Sequence, residues 1–183
     1  MLKNSEVYLK LRKIVKQYNL EDIIIFGSFV KGKAAPRDID ICLIFKESPN
    51  LEHIREIQSK LSDEFHVSSL STDSFFNKKH NLAQTLLFEG ISAKSGKKLS
   101  EIYSLDSYGL YYYDISRMKK SDKVRFVYLL KGRKNGKGIV SEFNGEFLVN
   151  GCFVVPVEKD SEMLEIMNKW NVKFSRKRVL LMR

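Results

Sequence analysis

The chain has 183 residues, 43% of them hydrophobic and 30% charged, and carries a formal net charge of +10. That balance describes a folded globular protein of one large or two small domains and excludes an intrinsically disordered one. No apolar run approaches the ~20 residues of a membrane-crossing helix, and the first residues lack a signal-peptide core, so the expected location is cytoplasmic.

Residues 6–18 space Val7, Leu11, Ile14 and Val15 at helical intervals. Ser5 reads as the N-cap of this helix, and Glu6 suits the positive end of its dipole. A strand is predicted over 22–27. It runs into Gly27-Ser28, a turn opening a short helix, and a second strand follows over 38–45. The turn offers backbone N–H groups and the Ser28 hydroxyl, the type of cradle that grips a phosphate. Asp38 and Asp40 fall two residues apart on the second strand and therefore point to the same side. Two such carboxylates repel one another unless a cation lies between them, which makes a divalent metal the natural occupant. An ordinary turn after Pro36 would explain Asp38 but gives no reason for Asp40 inside an apolar strand.

This segment resembles the signature of the DNA polymerase β-like nucleotidyltransferase superfamily. Gly27 and Ser28 match its Gly-Ser pair, Gly32 its internal glycine, and Asp38 and Asp40 its Asp-x-Asp, with nine residues between Ser28 and Asp38. The likeness covers about residues 20–90. It implies Mg2+ or Mn2+ held by Asp38 and Asp40, a nucleoside triphosphate held by Gly27 and Ser28, and Lys31 or Lys33 screening the phosphates. It also implies a third acid on the strand beside Asp-x-Asp. That strand is expected at 65–71 and has no acid: His66 or Ser68 falls there, depending on register. His66 is a metal ligand of a different kind, because imidazole suits transition metals better than magnesium. A strand-edge histidine with satisfied nitrogens is the alternative.

Helices are expected over about 51–63, after Ser48-Pro49-Asn50, and near 81–88, ending at Gly90. Residues 91–106 read as a basic connector. The organisation is then a nucleotidyltransferase-like domain over 1–95 and a basic α+β domain over 105–183, of no recognised family. The fold class is α+β: a small mixed sheet with helices, followed by a small α+β module. Cys42 and Cys152 sit in apolar strand-like runs far apart in sequence and read as reduced core residues.

Residues 105–183 hold 16 Lys and Arg against 9 Asp and Glu. Tyr108 and Tyr111–Tyr113 form an aromatic patch for which core is favoured over base stacking. The stretch 123–130 fits a helix capped by Ser121 or an alternating strand of Val124, Phe126, Tyr128 and Leu130. The pair Asn135-Gly136 tilts the choice to strand. Asn144-Gly145 and Asn150-Gly151 predict short antiparallel strands near 139–143, 146–149 and 152–157. A helix near 161–170 buries Met163, Met167 and Trp170, and 173–182 reads as a closing strand. The loop cations Lys131, Arg133, Lys134 and Lys137, with Arg176, Lys177 and Arg178, are the candidates for phosphate contact with RNA or DNA, solvated surface being the alternative.

Two functions follow from these residues. One is transfer of a nucleoside monophosphate from a nucleoside triphosphate to a hydroxyl on RNA, protein or a small molecule. The other is an interaction module of the same fold, lacking the third acid, that binds nucleic acid or protein. The resemblance adds a third partner, the helical protein of a toxin–antitoxin pair.

Overall fold

The computed structural model describes residues 4–30, 38–76, 81–134 and 136–183. The chain divides into two compact units, one ending at Ser104 and one beginning at Leu105, and each is described by itself. Among the described residues no helix is long and apolar enough to cross a membrane.

In the first unit, helix α1 (Asn4–Gln17) leads into strands β1 (Asp22–Phe26) and β2 (Ile39–Phe45). Helix α2 (Leu51–Lys60), strand β3 (Phe65–Ser71) and helices α3 (Thr72–Phe76) and α4 (Asn81–Glu89) follow. Strand β4 (Ile91–Ser92) and helix α5 (Leu99–Ile102) complete the unit. The mixed sheet has the order β3-β2-β1-β4, antiparallel except for the parallel pair β2–β3.

Both faces of this sheet are covered, which is why β1 and β2 read as nearly unbroken apolar runs. Ile23, Ile25, Ile39, Ile41, Leu43 and Phe45 pack with Val7, Leu11, Ile14 and Val15 of α1 and Ile57 of α2. On the opposite face Ile24, Cys42 and Ile44 meet Ala83 and Leu86 of α4. Helix α1 starts at Asn4, so Ser5 lies inside its first turn rather than capping it. The start of α2 is closed by Asn50, whose side chain accepts from the Glu52 and His53 N–H groups.

Residues 91–104, read from sequence as part of a connector, belong to this unit. Strand β4 pairs with the edge of β1, Ser92 Oγ donates to Asp22 Oδ2 at 2.5 Å, and Arg12 Nε donates to the Ala93 carbonyl at 2.7 Å.

The second unit is built from strand β5 (Leu105–Asp114), helices α6 (Lys120–Lys131) and α7 (Ile139–Glu142), and strands β6 (Glu146–Val149) and β7 (Cys152–Pro156). Helix α8 (Asp160–Lys169) and strand β8 (Lys173–Met182) close it. Its sheet is antiparallel throughout, in the order β6-β7-β5-β8. Tyr111 and Phe153 stack at 5.1 Å in a core shared with Phe126, Leu130, Val140, Met163 and Met167.

Two expectations are corrected here. Residues 123–130 form helix α6, not a strand, and Ser121 lies within it instead of capping it. A strand would have buried Val124, Phe126, Tyr128 and Leu130 together. On a helix, residues two apart are about 200° apart, so Phe126 and Leu130 are fully buried while Val124 and Tyr128 are exposed. Residues 139–142 likewise form helix α7 instead of a strand. Asn144-Gly145 closes that helix, with the Gly145 N–H donating to the Val140 carbonyl at 2.7 Å. The hairpin expected at Asn150-Gly151 joins β6 to β7, whereas the Asn135-Gly136 turn includes a residue outside those described.

Candidate active site

The geometry at the head of β2 begins with its period of two. Asp38, at the entry to the strand, and Asp40, within it, share the face that carries Cys42 and Ile44 deeper in the sheet. The antiparallel register sets Phe26 opposite Asp40, so the chain leaves β1 at Gly27 directly beside that carboxylate. Gly27 has φ +75°, and a Cβ there would stand 2.2 Å from Asp40 Oδ2. Only a residue without a side chain fits. Among the described residues, neither the Gly27 nor the Ser28 N–H donates a hydrogen bond. The Gly27-Ser28 turn lies directly beside the carboxylates.

The parallel register of β2 and β3 decides between the two residues that stood in for a third acid. His66 pairs with Asp40, and Ser68 pairs one step further in, with Cys42. His66 Nδ1 lies 3.7 Å from Asp40 Oδ1 and its Nε2 lies 3.9 Å from Asp38 Oδ1. The imidazole thus turns one nitrogen to each carboxylate. All three side chains reach solvent, being 54%, 34% and 60% exposed for Asp38, Asp40 and His66. Lys31 and Lys33, expected near the phosphates, lie outside the described residues.

These residues fit a divalent cation of the hard, oxygen-seeking kind. Magnesium is commonly held by one or two carboxylates and completed by substrate phosphates and water. Asp38 and Asp40 supply that pair, and the missing Cβ of Gly27 leaves room for the Asp40 oxygen. Among the described residues no group of three or more His, Cys, Asp and Glu side chains converges on one point. One imidazole cannot turn both its nitrogens to a single ion, so among the described residues the two carboxylates are the side chains that fit such a cation here. Cys42, next on the same face, is no nucleophile: burial pushes its thiol up to about 12.

Comparison with known proteins agrees with this geometry. Residues 9–97 match the family described as "Polymerase beta, Nucleotidyltransferase". That match places a nucleotidyltransferase domain in the N-terminal half of the chain. Among solved structures, one described as "toxin-antitoxin with AMP-PNP" is 19% identical, covers 47% of this chain and 71% of its own, and has a TM-score of 0.37. Another, a tri-AMPylated Shewanella oneidensis HEPN toxin in complex with MNT antitoxin, is 19% identical over 52% of this chain and 75% of its own, with a TM-score of 0.36. Likeness at that level carries no argument about function. No curated protein matches the chain.

The cations named from the C-terminal sequence part company in the structure. Arg176 is bound to Asp160, a carboxylate almost wholly buried on α8: its Nε donates to Asp160 Oδ1 at 2.8 Å and its Nη2 to Asp160 Oδ2. Arg178 Nε lies 3.7 Å from the same Asp160 Oδ2. Tyr111 Oη donates to Asp160 Oδ1 at 2.7 Å, and burial with this bond pushes the phenol well above its ordinary range. The Asp160 bond in turn raises Arg176. Arg176 is thereby tied into the unit's interior. Lys177, one residue on, falls on the opposite face of the sheet, and Lys131, Arg133, Lys134 and Lys137 are exposed at the end of α6 and beyond. Sequence reasoning missed Asp160 altogether. It stands 16 residues from Arg176 with no periodic signal to connect the two.

Proposed function

We propose that the N-terminal unit binds a nucleoside triphosphate with Mg2+ or Mn2+ and transfers its nucleoside monophosphate to an acceptor hydroxyl. The observation that carries this reading is the seating of Asp40 against the Cβ-less Gly27, with Asp38 on the same face and the Gly27-Ser28 turn beside them. Asp38 and Asp40 hold the metal, which when bound supplies positive charge against the triphosphate. The Gly27 and Ser28 N–H groups and the Ser28 hydroxyl take the phosphate oxygens. In the transfer, the acceptor oxygen bonds the α-phosphorus, the bond to the β-phosphate oxygen breaks, pyrophosphate leaves and the hydroxyl proton passes to solvent. Positioning and electrostatic stabilisation supply most of such catalysis.

A second reading, nucleotide or nucleic-acid binding without transfer, is favoured by one observation. His66 occupies the strand position beside Asp40, where a third carboxylate would help hold a second metal ion ~3.5–4 Å from the first.

The test incubates the purified chain with each α-labelled nucleoside triphosphate, Mg2+ or Mn2+, and RNA or protein acceptors, beside an Asp38→Ala/Asp40→Ala variant. Label transfer that disappears in the variant supports the enzyme. Metal-dependent nucleotide binding without transfer supports the second reading, and neither binding nor transfer overturns both.

A further inference from the structure

Between Lys123 and Ser141 the chain carries six cations, Lys123, Arg125, Lys131, Arg133, Lys134 and Lys137, and no acid. None of the six has a carboxylate within ion-pair reach among the described residues. Their charge is therefore uncompensated, unlike that of Arg176 and Arg178. The helix places them deliberately with respect to the core. Phe126 and Leu130 point inward, so Val124, Arg125 and Tyr128 form the exposed stripe of α6, with Tyr128 46% exposed.

The loop that continues this stripe is closed on itself. At Gly132, φ +87°, a Cβ would fall 2.0 Å from the Gly136 carbonyl oxygen and 2.8 Å from the Gly138 N. A Cβ on Gly138 would fall 2.2 Å from the Leu130 carbonyl oxygen. Two backbone segments thus touch where no side chain fits, and Arg133, Lys134 and Lys137 are carried on a pinched loop. Arg133 returns over the Tyr128 ring, its guanidinium carbon 5.4 Å from the ring centroid, leaving a cation and an aromatic side by side on the surface.

Unpaired cations along one ridge match the regular negative charge of a phosphodiester backbone. An exposed aromatic among them supplies a stacking surface for an unpaired base, and stacking is open only to bases not already in a duplex. We propose that the outer face of α6 and the cations that follow it bind single-stranded nucleic acid, through Arg125, Tyr128, Arg133, Lys134 and Lys137. The site is independent of the nucleotidyltransfer reading, since it uses no residue of the first unit. Arg176 and Arg178 take no part in it.

The test measures binding of the full chain to a fluorescent single-stranded RNA of about 20 nucleotides by anisotropy, across a salt series. The same-sequence DNA strand, the duplex and polyglutamate serve as comparison arms. Arg133→Glu/Lys134→Glu is expected to weaken binding more than tenfold and to flatten the salt slope by about 1.4, two phosphate contacts' worth for a single strand. Tyr128→Ala is expected to weaken binding about tenfold with the slope unchanged. Lys177→Glu, on the other sheet face, is the control and stays within twofold. All of these positions are exposed, and unchanged circular dichroism confirms folding. The inference is overturned by an unchanged affinity in the double variant, by an equal loss in Lys177→Glu, by tighter binding of the duplex, or by polyglutamate competing as well as RNA. Equal binding of RNA and DNA strands supports it, and so does a preference for either one.

Discussion

Each unit seats an aspartate against a glycine, and the two units then treat that aspartate in opposite ways. Asp40 lies where a Gly27 Cβ would be 2.2 Å from its oxygen, and Asp160 lies where a Gly109 Cβ would be 2.3 Å from its own. Asp160 is buried and saturated by Tyr111 and Arg176, with Arg178 close by. Asp40 keeps a third of its surface in water and faces a second carboxylate across an imidazole. A glycine that makes room for a carboxylate therefore does not distinguish a structural role from a functional one. What distinguishes them is whether the remaining lone pairs are taken up by the protein. Where they are, the carboxylate holds the fold together; where they are left to solvent, it is available to a ligand.

The comparison can be broken first at its structural end. Asp160→Asn leaves the Arg176 guanidinium without its counter-charge, and removing one partner of a buried pair costs about 3 kcal/mol or more. Chemical unfolding followed by circular dichroism is expected to show that loss, and an unchanged midpoint would remove Asp160 from its structural role.

Gly27→Ala comes next. Its Cβ must displace the Asp40 carboxylate and adopt a left-handed backbone, at about 1–2 kcal/mol. We expect Mn2+ affinity, read by electron paramagnetic resonance, to fall at least tenfold. Retained affinity would mean that Asp40 is not a metal ligand.

Alkaline pH separates the units in another way. Tyr111 has its phenol raised by burial, and Cys42 has its thiol raised from 9.0 to about 12 by burial. A group whose folded value is raised contributes stability that is complete below its unfolded value and lost as pH rises above it. The first unit is therefore expected to weaken above about pH 9 and the second above about pH 10. Cys42→Ala should flatten the first loss and Tyr111→Phe the second, in unfolding series across that range.

Asp38→Asn/Asp40→Asn tests the functional end. It removes like-charge repulsion and only the long, solvent-exposed contacts to His66, so stability without metal should change by less than about 0.5 kcal/mol while Mn2+ binding disappears. A large loss of stability would make these carboxylates structural after all. Asn50→Ala, which touches neither aspartate, removes the cap of α2 at about 1 kcal/mol, measurable as a shift of the unfolding midpoint with nucleotide affinity intact.

The site was legible because its pieces are local. A Gly-Ser turn between two apolar strands and two aspartates two residues apart are short-range patterns, and the period of a strand places Asp38 and Asp40 on one face without reference to the rest of the chain. The same locality made α1 readable from the spacing of Val7, Leu11, Ile14 and Val15. It failed at 123–130, where alternation picks out Val124, Phe126, Tyr128 and Leu130, helical spacing picks out Val124, Val127 and Tyr128, and an Asn-Gly pair tipped the reading towards strand. There the burial of Phe126 and Leu130 against Phe153 and Met167 chose the helix, a decision made by packing.

What the sequence determined by itself is the nucleotidyltransferase-type core, its turn and its aspartate pair, because each follows from backbone periodicity and residue type within some twenty positions. Only the tertiary structure decided which residue of β3 meets those aspartates, because a one-residue slip in strand register would have placed another residue beside Asp40. It alone divided the C-terminal cations into a pair drawn to the buried Asp160 and an exposed ridge. Whether an arginine is structural or free depends on a partner such as Asp160, brought to it by the fold from a distant part of the chain.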